Sequence, residues 1–555
     1  MRSGRIKRAR LLTAALSCTA VLLAACSGNA ASGVVDPTKP VRGGNLTFLV
    51  RIIGPCIDPQ FGGFDAQAAV AHSILDNLVY ENATGEIQPW LAKSWTISPD
   101  GLVYTFNLRD DVKFTDGAQL NAAAVKANLD RVMDPKTQAA TDDVYLGPIL
   151  KSTEVVSDYV LKVNLKKAYG ELLHFLAQTY IGIESPAAFS RGVQANCAAP
   201  VGTGPFKVEK FTPNSEVRLV RNENYNSPPP GSADTGAAYV DRVVVKVVGD
   251  ATIRYAALNN GQADVVDSPP PQTWKTISDS ANQGLLAKIR SGTPNVILFG
   301  VTKPPLDDVR VRQAINYAAN VRASLQGAFF GAYEYAAGPL SVKTAQYSAG
   351  DENRYEYNPS KAAQLLDEAG WTGRDADGYR TKGGTQLKVH VYYSSDMGFT
   401  QSDVTMLEDI QSYLKESGIN LVLTSGSYVI IGQMLAVKSI TKVQDFNAVA
   451  GWYWPTNTPD VLRFTYGTDG LQSGSNINGY SDPALDGVLR NALVAKDPQE
   501  RQTFYAKAQQ LISDAALSLP MYAATTRLAY SKSVHGLTVD NALGQPNFND
   551  VWIAK

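Results

Sequence analysis

Cysteine and histidine are scarce in this chain, and no long apolar run follows residue 25. Of 555 residues, four are cysteine and four are histidine. The histidines, His72, His174, His390 and His535, stand isolated in sequence. No Cys-x-x-Cys, His-Glu-x-x-His, Gly-Lys-Ser/Thr loop or Gly-x-Ser-x-Gly elbow is present, so the motif-built zinc, redox, nucleotide and nucleophilic-serine chemistries have no foothold. Without clustered imidazole or thiolate ligands no metal site is expected, and no cofactor is expected either. Acidic residues are plentiful, yet no pair stands out as a catalytic dyad. Neither sign of charge dominates: the formal net charge is −1. Such a balance argues against a nucleic-acid partner.

What is present begins at the N-terminus. Arg2, Arg5, Lys7, Arg8 and Arg10 are followed by an apolar run, Leu11 to Ala25. Basic, then apolar, then small is the order of a secretory signal. The run is too short to span a bilayer, which takes roughly 20 residues. Leu23-Ala24-Ala25-Cys26 resembles the bacterial lipobox, in which the cysteine is acylated and becomes the new N-terminus. An ordinary cleaved signal with an incidental cysteine is the competing reading. Several acyl chains would hold the protein on a membrane, since each buried methylene contributes about 0.8 kcal/mol. Residues 26–42 read as a tether. The expected location is the outer face of a bacterial cell membrane, reached through lipid on Cys26 alone.

Removing residues 1–25 takes the formal charge to −6. The remaining length exceeds one hydrophobic core, so at least two lobes are expected. Cys18 leaves with the signal, which leaves Cys56 and Cys197. In an oxidising compartment a disulfide between them is expected; two buried free thiols are the alternative.

Strand and helix signals alternate along the body. Leu161, Val163 and Leu165 alternate with Lys162, Asn164 and Lys166, a half-buried strand. Val243 to Val248 is almost continuously β-branched, which predicts a strand covered on both faces. Leu102–Arg109, Leu387–Tyr393 and Ile419–Thr424 also read as strands. Asn358-Pro359 predicts a capped helix with Ala362, Leu365, Leu366 and Ala369 on one face and Gly370 as its stop. Similar stripes follow Asn121, Asp308 and Asp482. The fold class is mixed α/β with several lobes.

Five ordered blocks then identify a family. They are Leu91–Arg109 with Val112–Gly117, Pro200–Phe206 with Arg221–Tyr225, Ala257–Asp264, Pro305–Ala314, and Arg501–Gln510 running into Leu519–Tyr522. Together they resemble the extracellular solute-binding proteins of family 5, the peptide/nickel-type receptors of ABC importers. The resemblance implies a periplasmic-binding-protein-like α/β fold with two major lobes, a hinge and an inserted third lobe. The first lobe would comprise 43–72, 201–297 and 515–555, the insertion 73–200, and the second lobe 298–514. Hinges would lie near Pro294–Gly300 and Leu519–Ala524. The map sets Cys56 and Cys197 near the exit and return of the insertion, which favours the disulfide. Gly202 and Gly204 are expected to supply unusual backbone angles where lobes meet.

The resemblance also implies the mechanism: a monomeric, non-enzymatic receptor closes on a peptide or peptide-like solute and delivers it to a permease and its ATPase. The segment Gly451-Trp452-Tyr453-Trp454-Pro455-Thr456-Asn457-Thr458-Pro459-Asp460 is the expected cleft loop, with Trp452, Tyr453, Trp454 and Asn457 as contacts; Trp452 has an equal claim to the core. On this reading Trp454→Ala weakens solute binding more than tenfold without unfolding. Relatives of the peptide-binding branch hold the ligand's amino group with an aspartate where this chain has Pro455. That departure keeps an oligosaccharide or opine-like solute in view. A surface signalling receptor or chaperone using the same cleft is a further alternative. Phe61, Gly62, Gly63 and Phe64 are secondary candidates, as are Tyr392 and Tyr393, which could face cleft or core.

Overall fold

The computed structural model describes residues 39–554 apart from 62–64, 138, 140–144, 395 and 397–398, and the side chains of 65–67 and 351. The proposed signal, Cys26, most of the tether, and Gly62, Gly63 and Phe64 therefore lie outside the described residues. Pro40–Ala554 forms one compact unit. No helix among the described residues is long and apolar enough to cross a membrane.

Three sheets organise this unit. The first has seven strands, in the spatial order Gln283–Ile289, Thr525–Ser531, Val265–Asp267, Asn45–Val50, Arg242–Val247, Glu216–Arg221, Phe206–Thr212. The second has five: Asn420–Gly426, Lys388–Ser394, Ala448–Trp452, Asn295–Phe299, Ser518–Tyr522. The third is an antiparallel sheet of four, in the spatial order Ala92–Ile97, Val103–Leu108, Val160–Leu165, Leu150–Ser157.

Each sheet has an apolar core whose residues follow the local pattern. In Val160–Leu165 the alternate residues Leu161, Val163 and Leu165 are buried, as the period of two requires. Arg242–Val247 departs from its β-branched reading. Val243 and Val245 are buried while Arg242 and Lys246 are exposed. Only one face of the strand is fully covered, and Lys246 was the sequence's sign of it. The helix Pro359–Glu368 starts where Asn358 accepts from the Lys361 amide and buries Ala362, Leu365 and Leu366. Asn121, Asp308 and Asp482 cap their helices in the same way, each satisfying an orphan N–H.

Because the first-sheet strands all lie before residue 290 or after residue 524, and the second-sheet strands all lie between 295 and 522, the described chain passes between the first and second sheets twice. One passage runs from Ile289 to Asn295 and the other from Tyr522 to Thr525. Ser518–Tyr522 thus pairs in the second sheet, so the second passage lies well beyond residue 515. The first passage is clamped. Thr293 N donates to Trp454 O at 3.1 Å, and Trp454 N to Thr293 Oγ1 at 2.7 Å. Gly292, at φ +110°, leaves no room for a side chain: a Cβ would stand 2.0 Å from Trp454 O.

Residues 73–200 leave and rejoin the first sheet at a pinned root. Cys56 and Cys197 form the expected disulfide, with Cα atoms 4.5 Å apart, and Ile57 N donates to Cys197 O at 2.9 Å. Gly202 and Gly204 serve this root differently from expectation. Neither takes a positive φ; a Cβ on either would lie 2.2 to 2.5 Å from Ile74 backbone atoms. Close approach of two chains, not an unusual angle, demands glycine there. Beside them Asp76, fully buried, accepts from Thr203 Oγ1 at 2.9 Å, Ser227 Oγ at 2.6 Å and Tyr225 OH at 3.3 Å.

Two predictions follow from the root. The disulfide closes a loop with a sequence separation of 141, so the Cys56→Ser/Cys197→Ser pair should lower unfolding stability by about 2–5 kcal/mol, read by urea titration. Burial pushes the Asp76 carboxyl up to about 7, against the pull of its three hydroxyl donors. The unfolded chain sheds that proton near pH 3.9. Asp76 therefore favours the fold most at low pH, and its contribution is lost as pH rises through 7. Relative to wild type, Asp76→Asn should gain stability between pH 4 and pH 8, by up to about 4 kcal/mol; a pH-independent difference would contradict this.

Candidate functional site

A cavity of about 280 Å³ lies between the first and second sheets, where the two passages run. The first sheet supplies Phe48, Val50, Arg51, Asp267 and Arg527, and the second Asn295, Gly451 and Tyr522. Tyr333, Phe399 and Asp403 complete much of the wall. Contributions from both sheets make it a site that relative motion of the sheets would open.

Local sequence explains how several walls are held. Gly451 takes φ +80°, and a Cβ there would sit 2.3 Å from the Phe399 ring. Glycine thus lets Phe399 reach the cavity. Phe399 is backed by Tyr393, whose ring stacks on it at 5.2 Å. Tyr333, Phe329 and Tyr522 form a second aromatic group, with ring centroids 4.8 to 5.3 Å apart. At the start of the helix Gln401–Glu416, Thr400 and Asp403 form a capping box. Asp403 also accepts from Tyr522 OH. Burial raises the Asp403 carboxyl, and burial and the nearby Asp403 raise the Tyr522 phenol well above its ordinary value. Asp267 faces Arg254, whose Nε lies 3.0 Å away. Arg527 lays its guanidinium over Trp274 at 3.8 Å and Tyr333 at 4.7 Å, a cation–π arrangement.

The sequence candidates separate on this geometry. Tyr453 lines the cavity. Trp452 is half-buried against the apolar cluster that contains Val296 and Tyr392. Trp454 packs against that cluster and against the core of the third sheet. Asn457 is buried, and its amide is spent inside the protein: Nδ2 donates to Glu81 Oε2 at 2.5 Å and His174 O at 2.7 Å, and Oδ1 accepts from Gln178 Nε2 at 2.8 Å. Tyr392 is buried in the core, donating to Ser427 O at 2.6 Å. Tyr393 supports the wall from behind. Phe61, half-buried, turns back on itself through its N–H to Asp58 O at 3.3 Å, and is not among the cavity-lining residues.

Sequence reasoning passed over Arg51, Asn295, Tyr333, Phe399, Asp403 and Arg527. None belongs to a local motif. Tyr522 was noticed as part of a scaffold block and of an expected hinge, not as a wall of the site. Among the described residues, no group of three His, Cys, Asp or Glu side chains is gathered to hold a metal.

Comparison with known proteins agrees with this architecture. The sequence profile of the bacterial extracellular solute-binding proteins, family 5 Middle, matches residues 86–476. The glutathione-binding protein GsiB of Salmonella typhi is 30% identical over 491 residues, covering 87% of this chain and 90% of the relative. In three dimensions the chain is similar to the periplasmic binding protein DppA from Helicobacter pylori in complex with the peptide STSA. The TM-score is 0.77 at 24% identity, with 93% of this chain and 99% of that one covered. It is also similar to the oligopeptide-binding protein AppA from Bacillus subtilis in complex with a nonapeptide, with TM-score 0.79 at 22% identity and 93% and 100% coverage. These two likenesses establish the fold, which is that of the periplasmic binding proteins, and the extent of the profile and the identity to GsiB establish the kinship: the chain belongs to the bacterial extracellular solute-binding proteins of family 5.

Proposed function

We propose that this protein is the solute receptor of an ABC importer, that it captures a small peptide-like molecule in the cavity between the first and second sheets, and that it hands the molecule to a membrane permease served by an ATPase. It works as a monomer held on the outer face of the cell membrane by lipid on Cys26. The first sheet, the second sheet and the 73–200 segment act as three lobes, and the passages at 290–294 and 523–524 act as the hinge. One observation carries this reading: a cavity is walled by both sheets and bordered by the two passages that join them among the described residues. A volume of about 280 Å³ suits a ligand the size of a few residues, and the sheets can enclose most of its surface. GsiB is a glutathione-binding protein, and DppA and AppA are solved with bound peptides, which supports the same reading. Ligand drives closure because it makes contacts with both sheets only when they are together.

Tyr453 and Trp454 separate binding from scaffolding. Tyr453→Ala should weaken binding of the co-purifying solute more than tenfold, with little change in unfolding stability. Trp454→Ala should instead lower stability by about 2 kcal/mol or more, since the indole fills apolar clusters. Calorimetry and urea titration on both variants check this; wild-type affinity in Tyr453→Ala would remove the cavity from consideration as the binding site.

A further inference from the structure

Buried polar atoms of the cavity wall without a hydrogen-bond partner include Asp267 Oδ1, which stands 3.0 Å from Arg254 Nε, and two groups on opposite walls. Arg527 lies on the first-sheet strand Thr525–Ser531. Its Nη2 donates to Ala332 O, and its plane rests on Trp274 and Tyr333. Its Nε is buried and has no acceptor. No carboxylate of the described residues pairs with it. The acids on the wall are engaged elsewhere: Asp267 with Arg254, and Asp403 with Thr400 and Tyr522. Across the cavity, Asn295 begins the second-sheet strand Asn295–Phe299, and its Oδ1 is buried without a donor. Both residues line the cavity.

Such groups are costly in a folded protein. A guanidinium removed from water without a counter-ion costs several kcal/mol, and an unmatched buried acceptor costs about 1–3 kcal/mol. Buried polar groups left unpaired call for an explanation. A ligand bringing a carboxylate to Arg527 and an N–H to Asn295 would satisfy both at once. The carboxylate would gain a charge-assisted hydrogen bond from a guanidinium already fixed by two aromatic rings. Because one group belongs to each sheet, the same ligand would tie the sheets together.

Building on the receptor function proposed above, we infer that the solute is a small carboxylate-bearing peptide or amino-acid conjugate, anchored by its carboxylate on Arg527 and by an amide or amino N–H on Asn295 Oδ1. A neutral sugar could hydrogen-bond to both groups but brings no negative charge to the guanidinium, so the anchoring favours a carboxylate over it. Arg527 is here a specificity determinant, and the Pro455 departure is accommodated because the charge is read at the opposite end of the cavity's chemistry, on an anion instead of an ammonium.

The test is calorimetry on the mature full chain, stripped of solute, with reduced glutathione, its diethyl ester and tri-alanine as probes. Wild-type protein should bind glutathione about tenfold or more tightly than the ester, which lacks both carboxylates. Arg527→Gln should bring glutathione down to the ester's affinity and leave the ester unchanged, and Arg527→Lys should recover part of the difference. Equal binding of acid and ester by the wild type needs no variant and would overturn the inference while sparing the receptor function. So would an Arg527→Gln protein that discriminates as well as wild type. If the wild type binds none of the three probes, the peptide-receptor function falls with it.

Discussion

The described chain crosses between the first and second sheets at two places, and the rest of the architecture is arranged around that double crossing. Gln283–Ile289 pairs with Thr525–Ser531 in the first sheet, and Asn295–Phe299 pairs with Ser518–Tyr522 in the second. The two passages therefore run side by side and form a double connection. A pair of short, adjacent connections permits rotation about one axis while forbidding the sheets to separate. The price of that economy is a crowded crossing, visible at Gly292, where no side chain fits against Trp454 O. The loop after Ala448–Trp452 thus has two tasks. Tyr453 faces the cavity, while Trp454 fastens the first passage through its backbone.

The segment 73–200 complicates this simple jaw. It is rooted in the first sheet by the Cys56–Cys197 bridge and by Asp76, yet its far side is packed against the helices and loops between Trp452 and Ser518. Tyr169 OH donates to Asp460 Oδ2 at 3.2 Å, and Asp460 is bound to Arg463 at 2.8 Å in a pair that is 1–2% exposed. Arg501 reaches Glu171 at 3.2 Å, and Phe464 and Leu493 join the third sheet's core. A buried pair of this kind adds little net stability, but removing one partner would strand the other charge. Its value lies in fixing how the surfaces meet. Under the proposed closure, any rotation about the passages would have to carry this contact along or part it, which would give the third sheet a share in the motion.

Local features were legible in the sequence, and convergent ones were not. The caps at Asn121, Asp308, Asn358 and Asp482 act within a few residues, so their signals are local and the structure repeats them. The disulfide was legible because only two cysteines remain after Cys18 and Cys26 are set aside. The family blocks carried the fold. The cavity wall, by contrast, is assembled by sheet pairing from residues far apart in the chain. Nothing near Arg527 or Asn295 separates them from other arginines and asparagines. Aromatic richness at 452–454 drew attention to this loop but could not say which ring lines the cavity, because alternation along an irregular segment obeys packing, not period. Gly202 and Gly204 were recognised as special for the wrong reason, since close chain approach and an unusual angle leave the same letter in a sequence.

The central claim is that two sheets close on a solute by turning about two short passages. Small-angle X-ray scattering of the mature protein, first stripped of its solute and then resupplied with it, tests that claim directly. Closure predicts a radius of gyration that falls on resupply and saturates at one solute per chain; an identical scattering curve in both states would contradict it.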